Sequence, residues 1–178
     1  MRKTIMSMAV VAIAVMGAAA SSASAAPTTT CENSGTIKLS PGLTATPQIQ
    51  NVTVKGILSN CTGEESAVTN GKYIAHLKTT EAVSCAALSS AAADEGKIVL
   101  KATPKGEGNS QGSFSMPVSE LPTTIGGLLE EGGTFSGQTV SGSVQEAYEG
   151  GATCGVAEGK KKAKKVNKGT FTGSMTIS

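Results

Sequence analysis

Tryptophan is absent from this 178-residue chain, and three phenylalanines and two tyrosines are all the other aromatics it has. Large apolar side chains are sparse too, so hydrophobic burial per residue is modest. There is one histidine, His76, one aspartate, Asp94, and no C-x-x-C pair. A zinc site or a thioredoxin-like redox pair needs what is missing here, so no metal and no cofactor is expected. The only long apolar run is Ile5 to Ala20, which is shorter than the roughly 20 residues of a membrane span. No transmembrane span is expected in the mature chain.

That run has a different use. Arg2 and Lys3 precede it, and Ala23-Ser24-Ala25 follows as a small-x-small cleavage site. Residues 1–25 therefore read as a signal peptide, cleaved after Ala25. Residues 26–34 read as a mobile Pro/Thr leader, and 35–178 as a single β domain. The protein is expected to be secreted or extracellular, with retention at the cell wall as one outcome. Losing Arg2 and Lys3 leaves thirteen cations against thirteen carboxylates. A global basic field for nucleic acid is thus absent.

The rest of the chain is rich in Gly, Ser and Thr and alternates like strands. Thr36 to Ser40 and Val52 to Leu58 have period two, with Pro41-Gly42 as a break and Gly56 as a candidate bulge. They read as the arms of one antiparallel pair. Perfect symmetry would set Ile37 opposite Lys55, so a one-residue slip is needed to bring the apolar faces together. In that register Cys31 and Cys61 fall almost opposite each other. The expected bridges are Cys31–Cys61 and, by remainder, Cys85–Cys154, one of three connectivities open to four cysteines.

Asn70-Gly71 reads as a hairpin turn before a strand from Tyr73 to Thr79. Ala86 to Ala93 suits a short helical turn or a loop. Lys97 to Thr103 and Ser113 to Val118 read as a hairpin around Pro104 to Gly112. Gly127 to Leu129, Gly133 to Phe135, Gln138 to Val144 and Lys168 to Ser178 read as further strands. Phe114, Phe135 and Phe171 each sit in a G-[S/T]-F-[S/T] echo and are expected core anchors. The expected fold is all-β: an antiparallel sandwich or barrel of about eight or nine short strands with two disulfides.

Ser40-Pro41-Gly42-Leu43-Thr44-Ala45-Thr46-Pro47-Gln48, then Val52 to Leu58, Cys61-Thr62-Gly63 and the terminal Gly169-Thr170-Phe171-Thr172-Gly173 carry a likeness. The chain resembles a group of small secreted actinobacterial proteins of unknown function. The resemblance implies secretion and a β-rich fold, and it supplies no catalytic residues. The lysine run at Lys160 to Lys165 departs from the group's pattern.

Chemistry-bearing motifs are weak. Gly108-Asn109-Ser110-Gln111-Gly112 fits G-x-S-x-G, but no helix follows it and His76 precedes it, so it reads as a solvated hairpin tip. A hydrolase would have to use His76, the only imidazole, with Asp94 or a glutamate, against the plainer reading of an exposed strand histidine. Glu64-Glu65 and Glu130-Glu131 are adjacent doublets and point to opposite faces of a strand. Lys160, Lys161, Lys162, Lys164 and Lys165 form the most unusual feature. They read either as a binding element for anionic envelope polymers or lipid head groups, or as a solvated loop. No catalytic residue is assigned. The expected function is that of a secreted, non-enzymatic domain associating with the envelope or with an extracellular protein. The alternatives are an enzyme inhibitor presenting Pro104 to Gly112 or Met116-Pro117, and a hydrolase using His76.

Overall fold

The computed structural model describes residues 28–63, 68–90, 92–103, 108–150 and 165–178. Eight strands follow in order: β1 (Thr29–Leu43), β2 (Asn51–Thr62), β3 (Asn70–Thr79), β4 (Asp94–Thr103), β5 (Ser110–Ser115), β6 (Thr123–Glu131), β7 (Thr139–Tyr148) and β8 (Val166–Ile177). Each pairs antiparallel with the next, and β8 pairs back onto β1 to close a barrel. A sandwich is thereby ruled out, because the pairing never lapses to make two sheets.

Alternation sets the two faces of the wall. Ile37, Leu39, Val52, Val54, Tyr73, Leu77, Ile98, Leu100, Phe114, Leu129, Phe171 and Met175 point inward and are buried. Their intervening neighbours on the outside are mostly Thr, Ser and Lys, with Ile74, His76, Val99 and Leu128 among the exceptions. Phe114, Phe135 and Phe171 are all core residues, as their repeated context suggests. Phe135 reaches the core from the turn between β6 and β7 and not from a strand.

Few aromatics suffice because glycine makes room for them. Gly35 faces Gly56 across β1 and β2, and Gly56 faces Tyr73 across β2 and β3. A Cβ on Gly56 would lie 2.0 Å from the Tyr73 ring, and one on Gly35 would meet the Lys55 carbonyl at 2.1 Å and Phe171 at 2.7 Å. Glycine at such inward positions lets a strand coil tightly while a neighbour's ring covers it. Gly56→Ala is expected to cost about 2–3 kcal/mol. In a double-mutant cycle with Tyr73→Leu the two changes should be less harmful together than their sum. Gly112→Ala should show no such coupling to Tyr73, because its Cβ would meet the Leu128 carbonyl at 1.8 Å. Additive losses in the Gly56–Tyr73 cycle, measured by urea unfolding, would refute this account.

Local expectations are corrected in several places. Strand β1 begins at Thr29, so the residues assigned to a mobile leader up to position 34 are largely strand, held between β2 and β8. Pro41-Gly42 does not end β1 but shifts its register against β8 between Lys38 and Leu43. Ile37 pairs with Val54, which supplies the slip the pattern demanded. Gly56 is regularly paired, and the irregularity lies between Thr30 and Glu32. Asn70-Gly71 is not a turn: both residues pair with Thr103 and Ala102 in the ladder to β4.

The two ends of the barrel close differently. At one end a 3-10 turn over Cys85–Ser89 buries Leu88 completely. Bridges Gln48–Val83 and Ala92–Val118 knit the surrounding loops together. At the other end Cys31 and Cys61 form a disulfide between β1 and β2. It is the one disulfide with both its cysteines among the described residues. Cys85 is disulfide-bonded as well, and Cys154, its expected partner, lies outside those residues.

Candidate binding face and buried acid cluster

The meander brings lysines together that are far apart in sequence. Lys168 on β8, Lys38 on β1, Lys55 on β2, Lys72 and Lys78 on β3, and Lys97 and Lys101 on β4 are all exposed. Each sits at an outward step of its strand, so five adjacent strands share one cationic outer face. Neighbouring strands are about 4.8 Å apart, which sets the pitch of the array. Lys38 stands directly opposite Lys168, and Lys72 directly opposite Lys101. Like charges in facing positions destabilise a sheet. No carboxylate occupies the register positions between them, where Thr36, Thr53 and His76 stand instead. Two acids stand at the edges of the array: Glu95, opposite Lys78, and Glu149, which follows β7 beside Lys168 and shares a surface hollow with Lys38 and Lys55.

Within this face lies a shallow depression of about 450 Å³ floored by the backbone of Gly35, Gly56 and Tyr73. Ile57, Ile74 and Val99 line it together with Lys55, Lys72 and Lys101. Ile57 is 50 % and Ile74 43 % exposed. The register alternates the two types: Ile57 faces Lys72, and Lys55 faces Ile74.

Inside the wall is a second cluster. Asp94 and Glu146 are both buried on the barrel's inner side. Asp94 Oδ1 accepts the Met116 N–H at 2.8 Å, while its Oδ2 has no hydrogen-bond partner. Glu146 Oε2 accepts the Ser119 N–H at 3.3 Å and the Tyr148 hydroxyl, while its Oε1 has no partner. Burial, the dominant cause, pushes the Asp94 carboxyl up to about 7 and the Glu146 carboxyl up to about 8, and Asp94's charge adds to the latter. Burial also raises the hydroxyls of Tyr73 and Tyr148, and for Tyr148 the adjacent Glu146 charge raises it further. The Tyr73 hydroxyl donates to Asn33 Oδ1 at 3.1 Å. Every described lysine is exposed, so none reaches this cluster.

The sequence-assigned residues fare unequally. Lys160, Lys161, Lys162 and Lys164 lie outside the described residues, and Lys165 is exposed just ahead of β8. His76 is outward on β3 between Thr53 and Lys97, whereas Asp94 is inward on β4, so the wall separates them and no dyad forms. Ser110 is not at a solvated tip: it is buried, and its Oγ accepts the Phe135 N–H at 3.1 Å. Met116 is buried, so Met116-Pro117 is not a protruding loop, and 104–107 lie outside the described residues. Among the described residues no group of three or more His, Cys, Asp or Glu is placed to hold a metal. No helix among them is long and apolar enough to cross a membrane.

Neither the cationic face nor Glu146 was assigned from the sequence. The face was encoded in lysines alternating with buried apolar residues, as in Ile37-Lys38-Leu39. Glu146 continues the inward series Val140, Val144, Tyr148, beyond the point where the expected strand ended. No family model, curated protein or solved structure matches the chain.

Proposed function

We propose that the protein is an exported, non-enzymatic binding module that associates through its lysine-bearing barrel face with an anionic component of the cell envelope. The supporting observation is two pairs of facing lysines, Lys72 with Lys101 and Lys38 with Lys168, the second with Glu149 beside it, in a chain whose cations and carboxylates nearly balance. A folded protein that tolerates this repulsion gains when an anion neutralises it. The run Lys160 to Lys165 precedes Lys168 in sequence and belongs to the same proposal. So does the signal peptide read at 1–25, which would send the chain to a compartment where Cys31–Cys61 and Cys85–Cys154 persist. Asp94 faces inward and His76 outward, so these two do not supply an acid-base pair for hydrolysis.

The test is co-sedimentation of the exported protein with isolated envelope at low and high salt. The wild type should pellet at low salt and be released at high salt. Combined Lys38→Gln, Lys55→Gln, Lys72→Gln and Lys101→Gln should leave most of the protein in the supernatant with its thermal unfolding retained. Equal pelleting of this variant would refute the face. A variant with Lys160 to Lys165 changed to Gln tells whether the run contributes.

A further inference from the structure

The depression in the cationic face carries more than charge. Positive charge alone would bind any polyanion and would have no use for two half-exposed isoleucines in the middle of the array. Ile57 and Ile74 lie diagonally across β2 and β3, with Val99 beside Ile74 on β4, and Lys55, Lys72 and Lys101 alternate with them. The floor is main chain, so the hollow is shallow and open to the outside. An apolar centre ringed by ammonium groups on a gently curved sheet is complementary to a surface that offers acidic head groups over acyl chains. The lysines can reach the acidic groups while their aliphatic stems and the isoleucines rest on the hydrocarbon boundary.

We infer that the outer face of β1–β4 docks on an anionic lipid surface, with Lys55, Lys72 and Lys101 on the head groups and Ile57 and Ile74 entering the interface. This rests on the envelope-binding reading and narrows it from any anionic component to an amphiphilic one. Charge complementarity decides the sign of the lipid, and the exposed isoleucines decide for a lipid over a water-soluble polymer.

The experiment is flotation with phosphatidylcholine vesicles, with and without phosphatidylglycerol, beside binding to soluble polyphosphate. The full chain, exported by its host and purified, should float only with the phosphatidylglycerol vesicles. Ile57→Ser with Ile74→Ser should weaken vesicle binding about tenfold and leave polyphosphate binding and thermal unfolding unchanged. Lys72→Gln with Lys101→Gln should weaken both. If the isoleucine variant floats like the wild type, or the wild type binds polyphosphate and not the vesicles, the lipid inference fails while envelope binding by charge stands. If the lysine variant binds both probes like the wild type, both readings fail.

Discussion

Raising the pH from about 4.5 to about 8 lowers the stability of the barrel by several kcal/mol, and Glu146→Gln with Asp94→Asn largely abolishes that dependence. Asp94 and Glu146 have ordinary values of 3.8 and 4.5 and are raised to about 7 and about 8 in the fold. Between each pair of values the barrel keeps the proton and the unfolded chain releases it. Unfolding therefore gives off protons, and each rise in pH favours the unfolded state. The contribution is complete below about pH 4 and is lost as pH rises through 7 for Asp94 and through 8 for Glu146. Each group that releases its proton only on unfolding sets a slope of about 1.4 kcal/mol per pH unit. The surroundings explain why no compensation occurs. Around Glu146 stand the Ser119 N–H, the Tyr148 hydroxyl, Tyr73 and Asp94. Around Asp94 stand the Met116 N–H, the Ser115 hydroxyl and Glu95, and burial outweighs the two hydrogen bonds. No cation is among them. Urea unfolding at closely spaced pH values measures the slope directly. A wild-type profile that is flat, or that climbs from pH 4.5 to 8, would overturn the assignment of these carboxyls as neutral interior groups.

Removing the Cys31–Cys61 bridge should cost about 3–4 kcal/mol. The bridge closes a segment of sequence separation 30, and the chain-entropy account of such a loop gives that magnitude. The loss matters more here than in a Leu- and Phe-rich domain, because aromatics are only 3 % of the chain. Cys31 is itself a buried core residue, so the replacement should keep its size. Cys31→Ser with Cys61→Ser is cleaner than a reducing agent, which would also open the bond at Cys85. The midpoint of urea unfolding should fall while the slope rises slightly, as a less constrained unfolded chain exposes more surface. A loss below about 1 kcal/mol would place the stabilising role of the bridge elsewhere, in folding or protease resistance.

How far the sequence predicted this molecule depended on whether the signal was local. Period-two alternation found the middles of β1 and β2, and every strand overlaps an expected one, but Gly133 to Phe135 is a turn and not a ninth strand, and the arm expected over Ser113 to Val118 is β5 at Ser110–Ser115. Cys31–Cys61 was readable because both cysteines flank arms whose registration the apolar faces dictate. The failures are non-local. Asn70-Gly71 is a strong turn signal in isolation, but the ladder to Thr103 and Ala102 holds it extended. Ser110 looked solvated among glycines until the β6–β7 turn folded over it and Phe135 donated to its hydroxyl. The cationic face needed the order of strands, since Lys38 and Lys168 become neighbours only when the last strand closes on the first.

That closure also orders events in time. Strand β1 has one edge on β2 and the other on β8, and Thr29 pairs with Ile177. A chain emerging from its N-terminus can lay down the successive hairpins from β1 to β7 as they appear. It leaves the outer edges of β1 and β7 open until the final segment arrives. Those open edges are the surfaces on which one unfinished chain can pair with another. The ring is completed by the contact of longest separation, which is the slowest kind to form. A protein built this way is safest when it folds only once its last strand is free to close the ring.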